Sequence, residues 1–246
     1  MPEGPALLSL ACIGAAAGAN VLGGIIVTRR EWEARLLRYF VALGAGFMLA
    51  AVLLKLVPES MRLSPHAPGL ILGGYLLVHL FEHTVAPHFH FGEETHHEHH
   101  HDTTVTVSAL IGLAVHSFFD GVTISSSFLV DRALGVLLFT AIALHKAPEG
   151  FAIASIVLAA HGTRAQALGA SCLVGAASVA GGVIMMGVPQ LVDWALPVSA
   201  GVTLYVAASD LVPEVNKESG TAIAITVFAG VVLYYLTELA LGGVGL

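Results

Sequence analysis

Charged residues are scarce in this chain. Asp, Glu, Lys and Arg make up only 11% of its 246 residues, whereas 56% are hydrophobic, and the mean hydropathy is +0.84. Soluble domains carry roughly 25% charged residues, so this composition excludes an ordinary soluble protein and gives no sign of nucleic-acid binding. The start of the chain, MPEGPALLSL, also lacks a basic segment. It therefore reads as the beginning of a membrane span rather than as a cleaved signal peptide.

Apolar segments long enough to cross a lipid bilayer recur along the chain. A spanning helix needs about 20 mostly apolar residues, and long runs without strict alternation favour helices over barrel strands. We therefore predict an all-α polytopic membrane protein whose residues 1–246 form a single transmembrane domain. The eight predicted spans are residues 5–28, 39–57, 68–87, 105–130, 133–160, 166–188, 194–214 and 221–243.

The loops between these spans differ in positive charge. One side carries six basic residues, Arg29, Arg30, Arg35, Arg38, Arg164 and Lys217, and the other carries two, Arg62 and Arg132. Basic loops stay in the cytoplasm, so we expect both termini to lie outside the cytoplasm. The expected location of the protein is the plasma (inner) membrane. The longest loop, 88–104, is then expected to face the cytoplasm.

Two of the predicted spans resemble each other in sequence. Residues 45–60 read AGFMLAAVLLKLVPES and residues 200–215 read AGVTLYVAASDLVPEV. These segments belong to spans two and seven, so we predict a 3+2+3 arrangement in which spans 1–3 and 6–8 form an inverted-topology repeat around spans 4 and 5. Glu59 is then placed near the outer surface and Asp210 and Glu214 near the cytoplasm, as candidate entrance and exit groups. The alternative is that Pro-Glu simply ends each helix.

The two central spans each contain a histidine and an acid four residues apart. Span four reads HSFFDG from His116 to Asp120, and span five reads HKAPEG from His145 to Glu149. Residues at i and i+4 share one face of a helix, and the consecutive, antiparallel spans allow the two faces to meet. A charge inside a bilayer costs at least ~2.5–3.5 kcal/mol, and zinc accepts imidazole and carboxylate ligands. The four side chains therefore predict a metal site within the membrane.

Several further residues of spans three, four and five are relevant to a metal route. Pro148 leaves the carbonyl of Leu144 without its helix partner, which predicts a local break in span five. Ser117 is a less specific candidate for the metal route because serine often bonds its own helix. Three residues at the inner end of span three either pass metal to the loop or are solvated end residues: His79, Glu82 and His83.

The loop after span three is rich in histidine. Its sequence, HFHFGEETHHEHHHD, predicts weak and flexible metal binding, although an expression tag or a dispensable solvated loop would look similar. The histidines are His88, His90, His96, His97, His99, His100 and His101.

Together, these motifs resemble the ZIP (Zrt/Irt-like) family of divalent-metal transporters. HSFFDG matches the family word HNxxD/EG except that Ser117 replaces Asn, and HKAPEG matches HxxPEG. The resemblance implies metal uptake into the cytoplasm, with His116, Asp120, His145 and Glu149 as ligands. Some members hold a second metal, but here Ser117 and Lys146 stand at its expected positions. An ammonium cannot ligate a metal, so we expect one metal, with Lys146 in place of a second cation.

Zn2+ is the expected substrate, and Cd2+, Fe2+ and Mn2+ remain alternatives because His/carboxylate sites accept several metals. The competing function is an intramembrane zinc-dependent hydrolase with Glu149 as its base. Four protein ligands would close the site, whereas catalytic zinc keeps one position open, so we expect a transporter and not an enzyme. Association into a homodimer is left open by the sequence.

Overall fold

The computed structural model describes residues 3–29, 34–84, 103–217 and 220–243, and this part of the chain contains helices and no strands. The predicted loop histidines between residues 88 and 101 lie outside the described residues. The α-helices are α1 (Glu3–Arg29), α2 (Ala34–Ala51), α3 (Val57–Leu63), α4 (Ala67–Thr84), α5 (Thr103–Val130), α6 (Arg132–Ala159), α7 (Arg164–Gly187), α8 (Val192–Tyr205), α9 (Val212–Lys217) and α10 (Thr221–Gly243).

Each of the eight predicted spans coincides with a continuous helical segment. Among the described residues, seven of these segments are long and apolar enough to cross a membrane, and the protein is therefore an integral membrane protein. The remaining segment is α4, which has 18 residues and ends in the polar stretch HLFEHT. The helices extend a few residues beyond several predicted limits, and α5 begins at Thr103, inside the segment predicted as loop.

Side-chain caps define where two of the central helices begin. The carboxylate of Asp131 accepts a hydrogen bond of 2.9 Å from the backbone N–H of Leu134 and so caps α6. Thr163 and Gln166 form a reciprocal capping box at the start of α7. Such caps satisfy N–H groups that have no partner within the helix. They set the ends of α6 and α7 on the two sides of the membrane.

The two similar segments share a structural feature that the sequence analysis did not predict. The helix widens to a π-helix at Val52–Leu56 in span two and at Val206–Leu211 in span seven. In each case the backbone bond spans five residues, from Val57 N–H to Val52 and from Val212 N–H to Ala207. In both segments a valine follows the π-helix and a proline comes next, which provides no N–H for regular helical pairing. Local π-helices of this kind are frequent at functional sites.

The predicted break at Pro148 is wrong. Helix α6 runs without interruption from Arg132 to Ala159, with the proline inside it. A proline removes one hydrogen bond but is tolerated in membrane helices when neighbouring helices pack around it. Gly44 of α2 lies against the carbonyl of Leu144, the group that lost its bond. Helix α2 thus covers this carbonyl, and α6 continues through the proline.

The helices pack as one group of four and two pairs. Helices α1, α5, α6 and α7 contact one another, while α2 packs on α10 and α4 packs on α8. Small residues make the last two crossings close. Glycines at positions 46 and 230 face the α10 and α2 backbones, and Gly74 and Gly201 face the α8 and α4 backbones. Membrane helices gain van der Waals contact when small residues let their backbones approach, so these glycines fix the positions of the outer helices.

We predict that Gly201→Ala destabilises the protein. A Cβ at this position would overlap the carbonyl of Ile71, and overpacking of this kind costs about 1–3 kcal/mol. The matched control is Gly69→Ala, because no heavy atom lies within 4 Å of a Cβ there. Alanine favours helix over glycine by about 1 kcal/mol. Thermal melting in detergent should fall for Gly201→Ala and hold or rise for Gly69→Ala; equal shifts would contradict the packing argument.

Candidate metal centre

Four polar side chains meet at the centre of the α5–α6 pair. They are the predicted residues His116, Asp120, His145 and Glu149, each of which offers one ligand atom, and these atoms all lie within 4.8 Å of one another. The spacing of four residues in each helix produces this cluster, because both pairs project from one helical face. The structure thus brings together the two motifs HSFFDG and HKAPEG.

The distances within this cluster approach those of a tetrahedral metal site. Asp120 Oδ2 lies 3.1 Å from His116 Nε2 and 3.4 Å from His145 Nε2, and the two Nε2 atoms are 3.4 Å apart. Glu149 Oε2 is more distant, at 3.9 Å from each imidazole. Bonds of about 2.0–2.1 Å to a tetrahedral Zn2+ place neighbouring ligand atoms about 3.3–3.4 Å apart. Only Glu149 would need to move inward by a fraction of an ångström.

The ring orientation of one histidine also suits a metal ligand. His145 Nδ1 lies 3.2 Å from the backbone carbonyl of Ala141. With the proton on Nδ1, this nitrogen donates to the carbonyl and leaves Nε2 as the free acceptor. Metal-ligating histidines almost always use their second nitrogen in this way. The helix itself therefore orients the imidazole toward the cluster.

Lys146 completes the centre as a buried cation. Its Nζ lies 2.7 Å from Asp120 Oδ2, 2.6 Å from Glu149 Oε2 and 2.5 Å from Ser117 Oγ. An ammonium has three N–H donors and no acceptor, so these three contacts satisfy it fully. The side chains of Lys146 and Glu149 are 0% exposed. The lysine thus compensates the two carboxylates instead of extending toward solvent.

A mostly apolar cavity of about 100 Å3 lies beside one edge of the cluster. Its lining includes His116 of the centre, Glu82 near the end of α4, and Asp210 in the second π-helical segment. Asp210 is 7% exposed, and its Oδ1 atom has no hydrogen-bond partner. Glu82 Oε2 accepts a bond of 2.7 Å from the hydroxyl of Tyr205. Tyr205 was not among the predicted residues, because a single tyrosine in an apolar helix forms no motif with its neighbours in the sequence.

The other predicted residues lie away from this cluster. Glu59 lies 3.7 Å from Arg62, and Glu214 lies 3.0 Å from Lys217. His79 and His83 are exposed, and their rings contact each other with centroids 4.1 Å apart. These four positions are therefore not part of the buried centre, although the two histidines lie on the same helix as Glu82.

Comparison with known proteins places the site in a functional context. Residues 102–238 match the model of a family described as ZIP Zinc transporter. Zinc transporter ZIP13 of Gallus gallus is 30% identical over 128 residues, which cover 48% of this chain and 34% of that protein. Zinc transporter zipt-7.2 of Caenorhabditis elegans is 23% identical over 150 residues, or 55% and 32% of the two chains. Zinc transporter SLC39A7 of Rattus norvegicus is 29% identical over 127 residues, or 46% and 27%. The chain spans about a third of the length of these curated relatives.

We predict that Lys146→Met lowers stability far more than Lys55→Met does. Removing one partner of a buried ion pair costs about 3–5 kcal/mol, because the remaining charges stay desolvated. Lys55 makes a partly exposed pair with Glu238 at 3.6 Å, and exposed pairs contribute at most about 1 kcal/mol. Melting of the metal-free proteins in detergent measures both effects. Similar melting temperatures for the two variants would show that Lys146 is not the compensating charge.

Proposed function

Because this chain belongs to the ZIP zinc transporter family, we propose that it carries a divalent transition metal, Zn2+ in particular, across the membrane. The observation that carries the proposal is the cluster of four possible ligands inside two membrane helices, in which Asp120, His145 and Glu149 are buried and the side chain of His116 is 11% exposed. Two imidazoles and two carboxylates are a ligand set that Zn2+ accepts. A buried charged cluster of this kind is costly in a membrane unless its groups are paired or bind an ion.

A transporter explains the cluster better than a hydrolase does. Catalytic zinc sites use three protein ligands and leave one position for water or substrate. Here four protein ligands are available. The neighbouring polar side chains do not leave an open position, because Lys146 bonds both Ser117 and Glu149. Binding and release of a whole ion require no open coordination position for a reacting water. Cd2+, Fe2+ and Mn2+ enter as competitors for the same ligands.

We assign one metal to the centre. Lys146 holds the place of a second cation, since its ammonium contacts both carboxylates at 2.6–2.7 Å. With the carboxylates ionised, a single dication balances their charge, and the ammonium repels a further one. The lysine also stabilises the carboxylates once the metal has left. The lysine therefore makes release of the single metal easier.

The direction of transport that we propose is uptake into the cytoplasm across the plasma (inner) membrane, with both termini outside. The excess of Lys and Arg in the loops supports this orientation. A cavity lined in part by His116, Asp210 and Glu82 lies on the side that this orientation assigns to the cytoplasm. When residues 45–60 are aligned with residues 200–215, Lys55 corresponds to Asp210. Lys55 instead pairs with Glu238, so the two similar segments carry opposite charges at this position.

We predict that His145→Ala or Glu149→Ala abolishes most Zn2+ flux in proteoliposomes and most bound metal in the purified protein. Each change removes one of four ligands, and a site with three ligands binds a metal far more weakly. The control is His66→Ala, which removes a histidine stacked on Trp194 at the molecular surface. Wild-type flux and metal content in both ligand variants would overturn the proposed function.

The inner route yields a separate prediction. Asp210→Asn should slow Zn2+ flux, because it removes a carboxylate charge beside the cavity that reaches His116, while the central site still binds metal. Glu238→Gln is the control, because this carboxylate lies at the partly exposed contact with Lys55. Flux and equilibrium binding measured on the same preparations separate release from binding. Unchanged flux in Asp210→Asn would remove this residue from the route.

A further inference from the structure

The two carboxylate oxygens of Glu149 have different surroundings. Oε2 faces the cluster, because the contacts to His116 and His145 at 3.9 Å both run to this atom. Oε1 is held by Ser117, whose Oγ lies 2.6 Å away. The carboxylate therefore presents one oxygen to the metal position and the other to the serine.

The direction of the serine hydrogen bond follows from its second contact. Lys146 Nζ lies 2.5 Å from Ser117 Oγ, and an ammonium only donates. Ser117 Oγ thus accepts from the lysine and has one hydrogen left, which it donates to Glu149 Oε1. The serine is 0% exposed, so no bulk water competes for either bond. Its two contacts lock the hydroxyl in a single orientation.

We propose that Ser117 selects the metal by keeping Glu149 a ligand through one oxygen. The inference rests on the proposed function of the central cluster and assigns Ser117 a positioning role instead of a ligand role. To bind a metal through both oxygens, the carboxylate must rotate and lose its bond to Ser117. That rotation leaves a buried hydroxyl without its acceptor, which is unfavourable.

Single-oxygen ligation discriminates between ions by their coordination numbers. Two imidazole nitrogens, Asp120 Oδ2 and one oxygen of Glu149 suffice for four-coordinate Zn2+. Mn2+ favours six-coordinate sites rich in oxygen, and a carboxylate that binds through both oxygens supplies an additional one. The hydrogen bond from Ser117 withholds this oxygen. The same bond that orients Glu149 for Zn2+ thereby disfavours the ion with higher coordination number.

The test compares Ser117→Ala with Ser126→Ala in the full-length protein purified in detergent. Ser126 is also a buried serine of α5, but its hydroxyl bonds the carbonyls of Val122 and Thr123 in its own helix. Equilibrium competition dialysis with Zn2+ and Mn2+, read by elemental analysis, gives the ratio of the two affinities. We expect that ratio to fall by about tenfold in Ser117→Ala, the usual scale for losing a residue that orients a ligand. Ser126→Ala should keep the wild-type ratio, and Ser117→Thr, which retains the hydroxyl, should stay close to it.

The outcomes separate this inference from the proposed function. If wild-type protein binds Zn2+ and Ser117→Ala keeps the wild-type Zn2+:Mn2+ ratio, Ser117 does not select the metal and the transporter proposal stands. An equal fall in both affinities also overturns the inference, because it shows a general loss of site structure. If wild-type protein binds neither ion, the proposed metal centre itself is wrong.

Discussion

A lysine and two carboxylates lie buried against one another inside the membrane, and the rest of the centre is arranged around them. Taking an ion out of water costs several kcal/mol even after relaxation, so none of the three would be stable there alone. Lys146, Asp120 and Glu149 offset one another at 2.6–2.7 Å. A metal that enters must share the same two oxygens with the ammonium. The balance between these two cations decides how tightly the metal is held.

The helix packing maintains this balance. Helices α5 and α6 carry all the charged groups of the centre, and α1 and α7 pack against both. Gly121 and Gly181 bring α5 and α7 so close that a Cβ at either would overlap the facing backbone. Protein interiors packed this tightly resist small displacements. The ligand atoms therefore keep their spacing while only the side chain of Glu149 needs to adjust.

Much of the centre was predictable from the sequence, because the spacing of His and acid by four residues follows from helix geometry alone. The helical segments were also predictable from apolar length, and seven of those described are long and apolar enough to cross a membrane. The π-helices at 52–56 and 206–211 were not, since Pro58 and Pro213 indicate only a missing hydrogen bond and not the way the backbone absorbs it. The predicted break at Pro148 was wrong for the same reason. The bond from Tyr205 to Glu82 and the double role of Ser117 depend on contacts between helices, which single-helix patterns do not contain.

The central claim is that one metal binds between two imidazoles and two carboxylates, with Lys146 excluding a second. X-ray absorption at the zinc edge, combined with the measured zinc content of the purified protein, tests it most directly. The account predicts one zinc per chain in a four-coordinate site of two nitrogen and two oxygen ligands at about 2.0–2.1 Å. Two zinc ions per chain with a metal–metal distance in the spectrum, or a site without imidazole scattering, would contradict it.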